Sequence, residues 1–172
     1  LAVELALEFG GEVVNADSRL FYRGFDIGTA KPGAGERRGI PHHLIDVLDP
    51  HESFSLAAFL DAAREAIAGI LNRGRLPMVA GGTGQYVWGL LEGWDVPRVP
   101  PDAVLRRSLE QEAASSGVEA LYERLRQADP EAAAKVDRRN PRRVIRAIER
   151  AAAAGESGGH ARPGKAAAPP FD

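Results

Sequence analysis

Two short apolar runs with a helix between them set the strongest limit on how this chain can fold. "EVVNA" at 12–16 is β-rich and short enough for a buried strand, and "LPMVAGG" at 76–82 is a second apolar run stopped by glycines. Between them Ser55 can cap a helix in which Phe59, Ala63, Ile67 and Leu71 recur every four residues and Gly74 makes the end. Strand, helix and strand in this order predict a right-handed crossover and a parallel sheet, hence an α/β core. Ahead of the first run, "LAVELALEFGG" places Leu1, Leu5 and Phe9 on one helical face, with Gly10 and Gly11 as its stop. That helix has a stop and no start, because nothing precedes Leu1 to cap it and no initiating Met is present. The sequence therefore reads as a piece of a longer chain.

The texture changes after Trp94. A Pro-rich stretch, "VPRVPP", is followed only by helical signals: "DAVLRRSLEQEAA", "VEALYERLRQA" and "DPEAAAKV", the last with Asp129 as cap and Pro130 in the first turn. "NPRRVIRAIERAAAAG" repeats the device, with Asn140 as cap, Pro141 in the first turn and Gly155 beyond the end. From Gly155 onward apolar periodicity is absent, which predicts a disordered tail. The boundaries expected are a core over 1–96, a helical insertion over 97–154 and a tail over 155–172. At 172 residues with 44% hydrophobic content, the length suits one domain or one with a small appendage. The absence of cysteine removes disulfides, thiol catalysis and cysteine-ligated metals together. No apolar stretch approaches the roughly 20 residues of a membrane helix and no signal sequence is visible, so a cytoplasmic, reducing home is expected.

Asp17 follows the first strand, and in open α/β sheets ligands gather at the carboxyl ends of strands. It reads either as a base or as a loop acid capping a turn made with Ser18 and Arg19. The second strand ends in "GGTGQY", whose glycines permit close backbone approach and whose Thr83 offers a hydroxyl at a helix start; ordinary turn chemistry accounts for it equally well. His42 and His43 are adjacent, point to opposite faces of a strand and so do not share a metal ion; a packed or hydrogen-bonded role is expected. On a helix, Arg142, Arg143, Arg146 and Arg150 fall within roughly one quadrant, with Val144 and Ile148 opposite. Glu149 is the only acid from Arg138 to Arg150, and such density of guanidinium fits phosphate contact. A formal charge of −2 supplies no global attraction for nucleic acid, so that partner would depend on this local patch.

"NADSRLFYRGFDIGTAKP", "PHHLIDVLDPHESFSLAAF", "GRLPMVAGGTGQY" and "DPEAAAKVDRRNPRRVIRAIE" occur in the same order as motifs of the tRNA dimethylallyltransferase (tRNA isopentenyltransferase) family. The sequence resembles that family from Leu1 to about Glu149. The resemblance implies a P-loop NTPase-like parallel sheet core with a helical insertion domain, acting as a monomer with Mg²⁺. The implied reaction moves a dimethylallyl group from dimethylallyl diphosphate to N6 of the adenosine just 3′ of the anticodon, in the tRNA anticodon stem-loop. By that resemblance Asp17 matches the catalytic base and Thr83 the threonine beside the reacting centre. Ser18, Arg19 and Leu20 match a segment touching the target RNA, Gly84 and Arg107 match positions at the tRNA interface, and Arg142, Arg143, Val144, Ile145 and Arg146 match a further tRNA-contacting segment. Leu20, Gln85 and Arg142 depart from the residues usual in the family.

The residue types suit this chemistry. An exocyclic adenine amine is a poor nucleophile, and a carboxylate at hydrogen-bond distance can both orient it and take its proton. The departing diphosphate needs N–H donors and cations, normally a glycine-rich P-loop with its lysine and Mg²⁺. An adenosine in a stacked loop must also be turned out to reach the pocket. Two rival activities use similar parts: an adenylate isopentenyltransferase acting on free nucleotide, for which AMP would compete, and a small-molecule P-loop kinase, which would show phosphate transfer. A non-catalytic gene remnant that binds RNA weakly is a third reading.

The G-x-x-x-x-G-K-[ST] motif expected directly before the first helix is absent from these residues. The 172 residues alone are therefore expected to bind the prenyl donor poorly and to turn over little or nothing, whereas the full-length parent is active. Transfer assays on both decide the matter, and robust transfer by the shorter chain would show that the diphosphate is cradled elsewhere.

Overall fold

The computed structural model describes residues 1–96, 102–157 and 164–165. These divide into two compact units, 1–96 with 164–165 and 102–157. In chain order the first unit contains α1 (Ala2–Phe9), β1 (Gly11–Asn15), α2 (Ala34–Arg37), β2 (His42–His43), α3 (Leu56–Asn72), β3 (Leu76–Ala80), α4 (Gly84–Leu91) and β4 (Trp94–Asp95). A further strand, β5 (Gly164–Lys165), pairs antiparallel with β4.

The sheet is parallel, with strand order β2-β1-β3. β1 occupies the centre and every one of its residues is buried, which is why "GEVVN" carries an apolar run and little alternation. Its register places Val14 beside His43 on one side and Asn15 beside Ala80 on the other. The carboxyl ends of β1 and β3 therefore lie level, and the turns that follow them meet. The crossover differs from the sequence reading in one respect. α3 connects β2 to β3, so the histidine pair supplies a third strand on the far edge of β1.

α3 begins as expected, with the Ser55 hydroxyl accepting the Ala58 amide at 3.1 Å. Its buried face is Phe59, Leu60, Ala63, Ile67 and Ile70, while Leu71 is 53% exposed. A strict four-residue step turns about 40° too far each time at 100° per residue, so Ile70 takes the place expected for Leu71 after three steps. α1 also corrects its expected face. Ala6 is buried against the sheet, whereas Leu1, Leu5 and Phe9 are exposed. The small side chain of Ala6 is what meets the strands, and Gly10, at φ +65°, ends the helix in the left-handed conformation.

Below the core Val14, Ala16, Phe21, Phe59, Leu60, Ile70 and Tyr86 pack as one cluster. Phe59 and Tyr86 stack at 4.1 Å, and Phe21 meets Tyr86 at 5.8 Å. Phe21 comes from the turn after β1 and Tyr86 from the first turn of α4, so the aromatic cluster anchors the start of both connections from beneath.

The second unit contains α5 (Ala103–Ser116), α6 (Val118–Ala128), α7 (Pro130–Ala133) and α8 (Pro141–Ser157). Asp102 caps α5 through the Val104 and Leu105 amides, and Asp129 caps α7 through the Ala132 amide. Leu109, Leu121, Leu125, Val144, Ile145 and Ile148 form its core. α8 runs through Gly155 to Ser157, so Gly155 is not its stop. Of the expected tail, 155–157 lie in α8 and 164–165 in β5; its other residues, like those at 97–101, lie outside the described residues.

One charge sits inside the sheet. Glu12 of β1 is 5% exposed and accepts from Arg73 at 3.2 and 2.8 Å, and the His43 Nε2 lies 2.7 Å from its Oε2. Arg73 closes the end of α3, so this carboxylate ties the central strand to its neighbour strand and to the crossover helix. The Arg73 guanidinium and the His43 ring hold the Glu12 carboxyl down to about 2 from its ordinary 4.5, against burial, which pushes it up. A carboxyl depressed on folding gives stability that is present above its unfolded value and is lost as pH falls through the folded value. Glu12→Gln is expected to destabilise the first unit by roughly 2 kcal/mol at pH 7. Urea denaturation from pH 7 down to pH 3 should show that difference narrowing below about 4.5; a gap that stays constant would remove Glu12 from the acid response.

Candidate active site

The site is assembled where β1 and β3 end. Ala16 donates to the Ala80 carbonyl at 2.8 Å, and the Thr83 amide donates back to the Ala16 carbonyl at 3.1 Å. The Thr83 hydroxyl accepts the Ser18 amide at 3.0 Å and donates to the Ser18 hydroxyl at 3.3 Å. Thr83 stands at the N-cap of α4, yet its side chain caps no amide of its own helix. It has been diverted to join the two turns, which brings Asp17, Ser18 and Thr83 together.

Gly81 explains how close the turns come. A Cβ at that position would lie 2.1 Å from the Ala16 carbonyl carbon and 2.4 Å from the Asp17 nitrogen, distances no side chain can occupy. The glycine is therefore a packing requirement. Gly82 is placed less tightly, its Cβ position 3.5 Å from Asp17 Oδ2, and Gly84 faces open space.

Asp17 makes the turn-capping contact and keeps its second oxygen outside it. Its Oδ1 accepts the Arg19 amide at 3.0 Å, making the turn-capping bond, while Arg19 Nη2 approaches Oδ2 at only 3.4 Å. The side chain is 17% exposed, so it reaches the surface from a buried strand end. Burial pushes its carboxyl up, but the Arg19 amide and guanidinium outweigh that effect and hold it below its ordinary value. Asp17 is consequently a carboxylate at neutral pH, with one oxygen committed to the turn and the other lightly held. Leu20 is half-buried and closes the same turn, its amide donating to the Asp17 carbonyl at 3.1 Å. Arg19 and Gly84 are exposed.

The loop behind this turn is held by Lys31. Its side chain is 4% exposed, and its ammonium donates to the Tyr22 carbonyl at 2.7 Å, to Asp26 at 2.8 Å and to Asp46 at 2.5 Å. The Asp46 amide in turn donates to the Leu20 carbonyl at 3.2 Å. Sequence reasoning passed over Lys31 and Asn15. The legible signals were a polar Asn closing an apolar run and a lone lysine between glycine and proline punctuation.

In the second unit Arg107, Arg142 and Arg143 are exposed, and among the described residues none of the three forms an ion pair. Arg146 is half-buried, with Nη1 3.4 Å from Glu149 Oε2. Glu149 is 3% exposed and also receives both arms of Arg106 at 2.8 Å. Val144 and Ile145 of the same segment have buried side chains in the helical core, where the apolar stripe of α8 sits. The guanidiniums alone face outward.

His42 Nδ1 lies 2.8 Å from the Ile40 carbonyl and His43 is engaged by Glu12, so the two rings have separate hydrogen-bonded roles. Among the described residues no three His, Asp or Glu side chains are grouped to hold a metal ion, and Asp17 is bridged by Arg19. These residues do not by themselves fit a Mg²⁺ site. None of the described helices is long and apolar enough to cross a membrane.

The family described as IPP transferase matches residues 20–171. A tRNA dimethylallyltransferase of Thermomicrobium roseum is 59% identical over 148 residues, covering 86% of this chain and 45% of the relative. That of Thermus thermophilus is 51% identical over 150 residues, covering 87% and 49%. The crystal structure of the full-length tRNA isopentenylpyrophosphate transferase from Bacillus halodurans superposes with a TM-score of 0.55 at 49% identity, over 86% of this chain and 49% of that one. A eukaryotic dimethylallyltransferase captured acting on tRNA gives a TM-score of 0.68 at 33% identity, over 85% and 36%. The chain thus spans about half the length of the curated relatives it matches.

The glycine turn offers an internal comparison. Gly81→Ala must push the β3–α4 turn off the Ala16–Asp17 peptide and is expected to cost about 1–3 kcal/mol. Gly84→Ala, three residues on, meets nothing and should be neutral or slightly stabilising in the first turn of α4. Thermal unfolding of the two variants checks the pair; equal melting midpoints would refute the contact.

Proposed function

This chain belongs to the IPP transferase family, and from that premise we infer that its protein transfers a dimethylallyl group from dimethylallyl diphosphate to N6 of the adenosine 3′ of the tRNA anticodon. The observation that carries the reading is Asp17: an ionised carboxylate at the end of the central strand, fixed through Oδ1 and held only loosely at Oδ2. The names of the relatives, tRNA dimethylallyltransferases, support the substrate class.

In this reading the adenine amine donates a hydrogen bond to Asp17 Oδ2. Its nitrogen attacks the allylic carbon, the carbon–oxygen bond to diphosphate breaks, the diphosphate leaves with the bonding pair, and the surplus N6 proton passes to the carboxylate. Thr83 acts beside the reacting centre by keeping the Ser18 amide, and with it the Asp17 turn, against the start of α4. Ser18, Arg19, Leu20 and Gly84 meet the RNA around the extruded base. Arg107, Arg142, Arg143 and Arg146 contact its phosphates, where charge-assisted bonds fix register without reading sequence. Glu149 limits Arg146 to a shared role. The protein works as a monomer in the cytoplasm. Mg²⁺ belongs to this reading only as the companion of the diphosphate, and no step above runs through it.

Asp17→Asn keeps the size and the turn-capping acceptor but cannot take the proton. In the full-length protein it is expected to lower transfer by about a thousandfold, while binding of an anticodon stem-loop RNA, followed by fluorescence anisotropy, stays within about threefold. Near-normal turnover would remove Asp17 from the active role.

A further inference from the structure

Asn15 is the last residue of the central strand, 2% exposed, at a position where a β-branched apolar side chain would suit the sheet. A carboxamide buried there must find partners for its donors and acceptor. Every hydrogen bond it makes goes to main chain. Its Nδ2 donates to the Asp17 carbonyl at 3.1 Å and to the Leu44 carbonyl at 2.8 Å, and its Oδ1 accepts the Asp17 amide at 2.9 Å. The amide and the carbonyl of Asp17 belong to the two peptide groups on either side of its Cα. One side chain therefore grips both, and only the side-chain torsions of Asp17 remain free.

The third partner anchors the grip to a rigid corner. Leu44 has φ +60° and Asp46 φ +57°, both in the left-handed region that costs a side-chain-bearing residue energy and persists only where surrounding bonds enforce it. Asp46 is fixed by Lys31 and by its own amide on Leu20, so the corner is tied to the far end of the same turn. The Asp17 turn is thus held at its start by Asn15 and at its end by Asp46, with Leu44 connecting the two.

We propose that Asn15 is a positioning residue for the transfer reaction: its carboxamide sets where the Asp17 carboxylate stands relative to the incoming adenine amine. The inference rests on the reading of Asp17 as the base. A general base contributes through its distance and angle to the proton it takes, so loosening its backbone lowers turnover without a matching change in RNA affinity.

The test uses the full-length protein. Asn15→Ala is expected to lower kcat by at least about tenfold while KM for anticodon stem-loop RNA stays within about twofold. The same change should raise hydrogen exchange at the Asp17 amide by about tenfold or more. Ile70→Ala, a cavity in the buried face of α3, serves as the control for stability lost elsewhere, with kcat retained at temperatures where both variants are folded. Should Asn15→Ala fail to fold, Asn15→Asp keeps the volume and the acceptor but loses both donated bonds, and is read in the same way. The proposal is overturned if kcat is unchanged in the Asn15 variant, or if it falls no further than in Ile70→Ala. Asp17→Asn separates the two ideas. If that variant keeps its turnover, the base reading falls by itself, and the Asn15 grip is then judged on Asp17 exchange, where an unchanged rate sinks it.

Discussion

The arrangement depends on one steric fact, that the backbone of Gly81 lies against the Ala16–Asp17 peptide more closely than any side chain permits. Parallel strands that end level leave their following turns free to diverge. Here the missing Cβ lets the turn after β3 press onto the turn after β1, and the exchange of bonds between Ala16, Ala80 and Thr83 then becomes possible. From that contact follow the diverted Thr83 hydroxyl, the position of Ser18 and the exit of Asp17 toward solvent. The aromatic cluster of Phe21, Phe59 and Tyr86 supports the same junction from within. A strict requirement on backbone proximity has thus been turned into a requirement on where a carboxylate stands.

Charge is managed in both units by burying one ion and surrounding it with partners from different elements. Glu12 gathers Arg73 and His43, Lys31 gathers Asp26 and Asp46, and Glu149 gathers Arg106 and Arg146. Each buried ion would be costly if left alone, and each has a partner distant in sequence: Arg73 for Glu12, Asp46 for Lys31 and Arg106 for Glu149. In the helical unit the consequence reaches the surface. Glu149 withdraws two guanidiniums from the basic field, so the outward charge of α8 belongs to Arg142, Arg143 and Arg150, a smaller and more sharply placed set than the arginine count suggests.

Much of the fold was legible because it is written in local patterns. Apolar runs marked β1 and β3, and Ser55, Asp129 and Asn140 marked helix starts by the physics of capping. Asp17 and Thr83 could be singled out because strand ends and glycine turns are places where ligands sit. What was not legible came from tertiary competition. Leu71 lost its buried place to Ile70 because the helical repeat is not four, α1 turned Ala6 inward in preference to larger neighbours, and Gly155 did not stop a helix that had room to continue. Asn15 also reaches Leu44 across 29 residues of chain and Lys31 reaches Asp46 across 15, separations that no short window on the sequence contains. Val144 and Ile145 show the converse case, in which an arginine-rich segment divides between outward arginines and inward aliphatics according to the period of the helix.

The sheet has one further property. Among the described residues β3 is an edge strand, with Leu76 and Val79 about half exposed, and α1 beside it shows Leu5, Leu7 and Phe9 to solvent. Parallel strands are normally covered on both faces, and an uncovered edge offers a row of free amides and carbonyls to any strand that arrives. Leu76 and Val79 give this margin an apolar character that a net charge of −2 over the whole chain does little to offset.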